Sequence, residues 1–285
     1  MPSTQLMQLE ISKLKHLPPL PEESCRILTA LNDPDIELEK LAHVLSTSPI
    51  LVGRLLGLAN SAYFGYPGTV ISLKVAIINV LGLKLVKSFS LSILLSTTLD
   101  SHRCKHFDSE RFWRNTLLTA VSAQKLALLK QGAFDSSLVY TAGILLHIGI
   151  LAAVHVYPKQ MDQLLLEKNN ESMLDALMTR CHVIDQYQIG SYLLERWQLP
   201  VIFQNIVKHY ADANFQGEVL PLINLLRLAN VLLTMMLQNE EKIPDEGLAL
   251  MQALEVKEPE ILSIKVAISE KMDDLNALVK TMAGK

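Results

Sequence analysis

The sequence predicts an all-α protein, a two-lobed helical bundle, and three observations carry that prediction. Apolar residues recur three and four positions apart, as in Leu38, Leu41, Ala42 and Leu45, which puts them on one helix face. No alternating Val/Ile/Thr run of strand length, bounded by Gly or Pro, interrupts this spacing. Prolines fall where helices start or stop. The stretch Leu17-Pro18-Pro19-Leu20-Pro21 cannot propagate a helix, because proline lacks the N–H and restricts the residue before it.

The elements follow in order. Pro21 is placed as the first residue of a helix that Asn32-Asp33-Pro34 ends. Ser48-Pro49 opens another, with Ser48 as N-cap, Pro49 in the first turn, and Ile50, Leu51, Arg54, Leu55 and Leu58 at helical spacing. Gly65-Tyr66-Pro67-Gly68 reads as a loop, after which Ser72 can cap a helix whose inner face is Leu73, Ala76, Ile77, Val80 and Leu81. Apolar character then stops at the polar run Asp100 to His106, which suggests a boundary. The expected organisation is an N-terminal lobe over 1–100, a second helical lobe over 101–237 and a C-terminal helical tail over 238–285. The runs Ala142 to Val156 and Pro221 to Leu237 fall short of the ~20 residues that span a bilayer, so they are expected as core helices and no membrane association is expected.

Composition narrows the function classes. With 49% apolar and 19% charged residues the chain can bury a core, which argues against disorder. A net charge of −3, with both signs dispersed, gives no basic footprint, so no nucleic-acid partner is expected. Three cysteines, Cys25, Cys104 and Cys181, lie far apart and point to neither a disulfide framework nor a zinc ribbon. The N-terminal residues lack a basic and then apolar leader, and the expected location is cytoplasmic.

Chemistry-bearing residues are sparse. His102, Cys104 and His106 are ligand types at close spacing, but zinc usually takes four ligands and no second pair is near, so a solvated linker is expected. His147 sits in an apolar stretch, where a core histidine with a satisfied hydrogen bond is the expectation. His209 falls near a helix end, where a positive ring suits the dipole. Neither a Gly-rich phosphate loop nor Gly-x-Ser-x-Gly occurs. The carboxylate pairs Glu22-Glu23, Glu37/Glu39 and Asp273-Asp274 read as solvated charge. No complete catalytic set emerges, and no cofactor is expected.

Several stretches together resemble the HDOD domain, a bacterial family related to HD-type metal phosphohydrolases that generally lacks their catalytic ligands. The N-terminal match runs through Leu17-Pro18-Pro19-Leu20-Pro21, Asn32-Asp33-Pro34 and Ser48-Pro49-Ile50-Leu51. It continues through Leu55-Leu56-Gly57-Leu58-Ala59-Asn60-Ser61-Ala62-Tyr63-Phe64-Gly65 and Ile71 to Gly82. Phe112-Trp113-Arg114-Asn115-Thr116 and the Gly190 to Pro200 segment continue it in the second half. The resemblance implies that the first HD histidine position falls on Asn115. The His-Asp pair falls on Leu146-His147, or on His147-Ile148 in the alternative alignment. Later ligand positions fall on Gln186, His209 and Tyr210, and the final aspartate on Asn230. Either alignment lacks the carboxylate, which implies a non-catalytic signalling module working through a protein partner. Its contact is expected in the groove between the lobes, near Asn60, Ser61, Tyr63 and Phe64, with the stronger competing reading that Asn60 caps a helix end and the two aromatic rings fill core. The alternative is a divergent metal-dependent phosphohydrolase acting on a nucleotide or cyclic dinucleotide, with His147, His209, His182 and Asp185 converging. A third expectation is a small-molecule ligand held by Asn115, Gln186 and Asn230 in the emptied site.

Overall fold

The computed structural model describes residues 19–33, 35–130, 132–166 and 185–283. Pro34, Cys181 and His182, and the first two residues of the proline-rich stretch, lie outside the described residues. The regular secondary structure among the described residues is helical, with no strand. In chain order the helices are α1 (Glu22–Asn32), α2 (Leu38–Ser46), α3 (Pro49–Ala59), α4 (Gly82–Thr98), α5 (Ser109–Leu129), α6 (Ser136–Leu145) and α7 (Ile148–Val156). They continue as α8 (Pro158–Leu166), α9 (Gln186–Arg196), α10 (Val201–His209), α11 (Leu220–Gln238), α12 (Asp245–Leu254), α13 (Glu258–Ser269) and α14 (Met272–Ala283). A 3₁₀ turn, Ala62–Phe64, follows α3, and a π-helical segment, Ala76–Leu81, leads into α4.

Helix starts follow local chemistry, with small departures from expectation. Pro21 sits one position outside α1, as its N-cap, because its ψ of 148° is extended. Ser48 occupies the N-cap of α3 with Pro49 behind it, yet its side chain makes no capping bond. Ser72 does cap: its hydroxyl accepts from the Val75 N–H at 3.2 Å. Asp108 and Asp135 cap α5 and α6 in the same way. Leu41 and Leu45 are buried on the predicted face of α2, whereas Ile50, at the start of α3, is 54% exposed.

The long helix α5 is the axis of the molecule. It packs against α6, α11, α13 and α14, while α9 packs against α7 and α10, and α4 joins α3 to α6. The close approach of α6 to α5 is made at Gly143, where a Cβ would lie 2.6 Å from the Ala120 Cα. The stretches Leu73–Arg103, Ser136–Val156 and Leu220–Gln238 are long and apolar enough to cross a membrane by length and composition, so shortness does not separate them from spans. The share of the apolar window buried inside the protein is 83% in Ser136–Val156, 56% in Leu73–Arg103 and 50% in Leu220–Gln238. That stretch is also two helices, since His147 breaks it at φ −104° and ψ 16°.

The polar run after α4 is largely exposed, as expected of a linker, except at Cys104. Cys104 is 2% exposed and donates its Sγ–H to Asp162 Oδ1 at 3.1 Å. The same oxygen accepts the His106 N–H at 2.9 Å and lies 3.1 Å from His106 Nδ1. Burial and the adjacent carboxylate push the Cys104 thiol up to about 12, while the donors around Asp162 hold its carboxyl well below the usual range. Asp162 lies 56 residues from His106, and no local pattern marks it as a partner.

Candidate functional site

The residues at the expected HD positions come from separate helices, and Tyr210 and Asn230 are joined directly, with His147 reached through Tyr187. Asn115 and Thr119 lie one turn apart on the same face of that helix. The Thr119 hydroxyl donates to Asn230 Oδ1 at 3.3 Å, and Asn230 Nδ2 donates to the Tyr210 hydroxyl at 3.0 Å. Tyr210, just past the end of α10, packs its ring 5.0 Å from Tyr187 on α9, which in turn lies 6.3 Å from the His147 imidazole. One polar and aromatic chain therefore links α5, α11, α10, α9 and the α6–α7 junction.

Arg227 holds this chain in place from behind. Its Nε and Nη2 donate to the Tyr210 carbonyl at 3.0 and 2.6 Å, and Nη2 also reaches the Asp212 carbonyl at 2.9 Å. The guanidinium lies 5.9 Å from the Tyr210 ring centroid. These carbonyls belong to the turn ending α10, where a cation satisfies groups that helix geometry leaves without partners.

His147 reaches the site because α7 approaches α9 with almost no gap. A Cβ on Gly149 would stand 1.8 Å from the Gln186 carbonyl oxygen, so only glycine fits there. His147 is 9% exposed and Leu146 is 1% exposed, the latter contributing only core contact. Gln186 is 1% exposed, and both polar atoms of its side chain are buried without a hydrogen-bond partner, as are Asn115 Oδ1 and Thr116 Oγ1. His209 lies to one side, its ring stacked 4.3 Å from Phe215. Of the two neighbouring ligand positions, it is Tyr210 that enters the cluster. Asp185 caps α9 through the Tyr187 N–H at 3.1 Å.

This donor set does not suit a divalent cation. Asn115, Gln186 and Asn230 bring neutral oxygens, and both amide atoms of Asn230 are already hydrogen-bonded within the cluster. Neutral carbonyls and one imidazole supply no charge to offset the desolvation of a dication. No group of three His, Cys, Asp or Glu side chains among the described residues is arranged to hold a metal ion.

The other candidate residues, Asn60, Ser61, Tyr63 and Phe64, lie elsewhere. Asn60 clips the loop to α3: its Nδ2 donates to the Leu56 and Val70 carbonyls at 2.8 and 2.9 Å, and its Oδ1 accepts the Val70 N–H at 2.7 Å. Ser61 Oγ donates to the Leu58 carbonyl at 2.7 Å. Tyr63 and Phe64 meet edge-on, and Phe64 continues edge-on to Phe89 and then Tyr140. Thr119, Tyr187 and Arg227 are site residues that sequence reasoning missed. Thr119 was within reach, four positions after Asn115; the other two carry no distinguishing spacing.

Fold and site together define an all-helical protein with a neutral polar cluster between its central helices. Residues 17–213 match the HDOD domain, and the chain belongs to that family. It is 27% identical over 239 residues to an uncharacterized protein of Treponema pallidum (strain Nichols), covering 80% of this chain and 44% of that one. The chain thus spans less than half the length of this curated relative. A crystal structure from Marinobacter aquaeolei VT8, named for signal transduction, aligns with TM-score 0.80 at 22% identity, over 97% of this chain and 65% of that one. One from Shewanella amazonensis SB2B, named for a phosphohydrolase, aligns at 0.75 and 21% over 99% of both chains. An HDOD domain protein of unknown function from Geobacter sulfurreducens aligns at 0.74 and 20%, over 98% of this chain and 97% of that one. At these identities the three structures establish a shared fold.

Proposed function

We propose that the chain is a non-catalytic HDOD regulatory module that works in the bacterial cytoplasm through contacts with a protein partner. The observation that carries this is the engagement of Asn230, at the final ligand position, in hydrogen bonds to Thr119 and Tyr210. An amide bonded in this way serves packing and orientation, and a metal-activated water needs donors of the opposite character. The signal-transduction name of the Marinobacter structure is in keeping with this reading. Elemental analysis of protein purified with zinc, manganese and iron present tests it, run beside a panel of phosphomonoesters, nucleotides and cyclic dinucleotides. The expected result is substoichiometric metal and no turnover; a tightly held metal together with ester cleavage overturns the reading in favour of the phosphohydrolase.

A second reading has one observation in its favour. The Gln186 amide is buried with no partner, an arrangement that costs about 1–3 kcal/mol unless water or a ligand completes it. A small uncharged molecule with paired donor and acceptor groups would satisfy it. Isothermal titration of such compounds against the wild-type chain and Gln186→Leu separates the two readings. Binding that the variant loses supports a sensor, and equal heats in both proteins remove it.

A further inference from the structure

We propose that the cavity lined by the Ala62–Phe64 turn, α4, α5, α6 and α14 is a hydration site, in which one internal water is held by the hydroxyls of Tyr63 and Tyr140 and the side-chain amide of Gln124. The inference does not rest on the reading of the HD positions. It assigns a ligand to polar groups that the regulatory reading leaves unused.

An aromatic chain brings these groups together. Tyr63 meets Phe64 at 5.0 Å, Phe64 meets Phe89 at 6.3 Å and Phe89 meets Tyr140 at 6.1 Å, each pair edge-on. The chain curls back, so its two terminal tyrosines line one cavity of about 30 Å³ together with Gln124. The three polar side chains come from three elements: the turn after α3, α6 and α5. Tyr140 is 3% exposed, and its hydroxyl has no hydrogen-bond partner among the described residues. Burying a hydroxyl forfeits its bonds to bulk water, which is costly unless a new partner replaces them. Burial raises the pKa of both phenols, with the Asp274 charge adding to the rise at Tyr63 and Tyr63 to that at Tyr140. Each phenol therefore stays neutral, able both to donate and to accept.

Size and charge decide the ligand. A water needs about 10–15 Å³ of such space and two to four polar partners, and the cavity offers both. An organic ligand does not fit, since benzene takes an engineered cavity of about 150 Å³. None of the described residues lining the cavity carries a charge, so nothing offsets the desolvation of an ion. Purely apolar cavities stay dry; the phenols and the amide are what make this one suit water. A water here accepts from one hydroxyl and donates to the other or to Gln124 Oε1. It satisfies Tyr140 and joins the turn carrying Tyr63 to α5 and α6.

A crystal structure of the full chain that resolves ordered solvent tests the proposal. The expected result is a water within about 2.5–3.2 Å of Tyr140 Oη and of at least one of Tyr63 Oη and the Gln124 amide. Xenon pressurisation of the same crystals should place no xenon there. In solution, oxygen-17 relaxation dispersion counts long-lived internal waters. Val121→Leu fills the cavity and keeps all three polar groups, and should lower that count by one. Tyr140→Phe keeps the ring and removes one hydrogen bond, and should shorten the residence of this water about tenfold. It carries the solution test alone if the larger leucine prevents folding. Xenon in place of water in the wild-type cavity, a direct bond between the two phenols, or dispersion profiles identical in wild type and Tyr140→Phe overturns the proposal.

Discussion

At the scale of single residues, hydrogen bonds rather than charges define the site. Replacing Asn230 by Ala leaves the Thr119 and Tyr210 hydroxyls without their shared partner, and should cost about 1–3 kcal/mol, read as a lower urea midpoint at unchanged slope. Two titrating groups outside the site give a pH dependence whose sign is fixed by geometry. The Asp100 N–H donates to His155 Nδ1 at 3.0 Å, so that nitrogen must stay unprotonated. Burial, followed by the charge of Arg103, lowers the His155 pKa below its ordinary 6.5. The folded state therefore binds the proton less readily than the unfolded state, and the stabilisation is complete above 6.5 and lost as pH falls toward the depressed value. Asp162, also lowered, keeps its contribution above the ordinary 3.8 and loses it only in stronger acid. The urea midpoint of the wild-type chain should accordingly drop between pH 7.5 and 5.5, and His155→Leu should flatten that drop. An equal drop in both proteins would remove His155 as its source.

At the scale of elements, the helices were legible because periodicity and punctuation are local. The face of α2 shows in Leu41 and Leu45, the Ser72 cap in its position before Leu73, and the ends of α1 in the prolines around it. What stayed hidden depends on a neighbour distant in sequence. The break of Ala142 to Val156 at His147 belongs to the close contact of α7 with α9, made at Gly149 beside the Gln186 carbonyl. Gly149→Ala should destabilise the chain by about 1–3 kcal/mol or more, since backbone must move to admit the methyl group. Thermal unfolding that matches wild type would show that α7 and α9 separate without cost. Asn60→Ala should lose the clip to Val70, again by about 1–3 kcal/mol, and loosen the loop before Ser72 as seen by faster amide exchange at Val70.

At the scale of the whole molecule, α5 organises its neighbours: Thr119 at its middle joins the neutral cluster, and α14 packs against it. If the cluster is a metal site with its charges removed, restoring them should restore binding. A chain with Asn115→His, Leu146→His, His147→Asp and Asn230→Asp together should bind zinc or manganese in equilibrium dialysis more tightly than the wild type. No gain would show that the surrounding shell, including Arg227 and Tyr210, no longer orients ligands.

Sequence alone determined the helical class and most helix ends, because each of these is written in residue type and short-range spacing. Tertiary structure decided which of those positions meet. Tyr210 and not His209 faces Asn230, Thr119 and Tyr187 join the cluster, Asp162 gathers Cys104 and His106, and α14 lies over Tyr63 and Phe64. Each of these pairings joins residues on different elements, and their distance in space is set by how the helices pack, which no local pattern records.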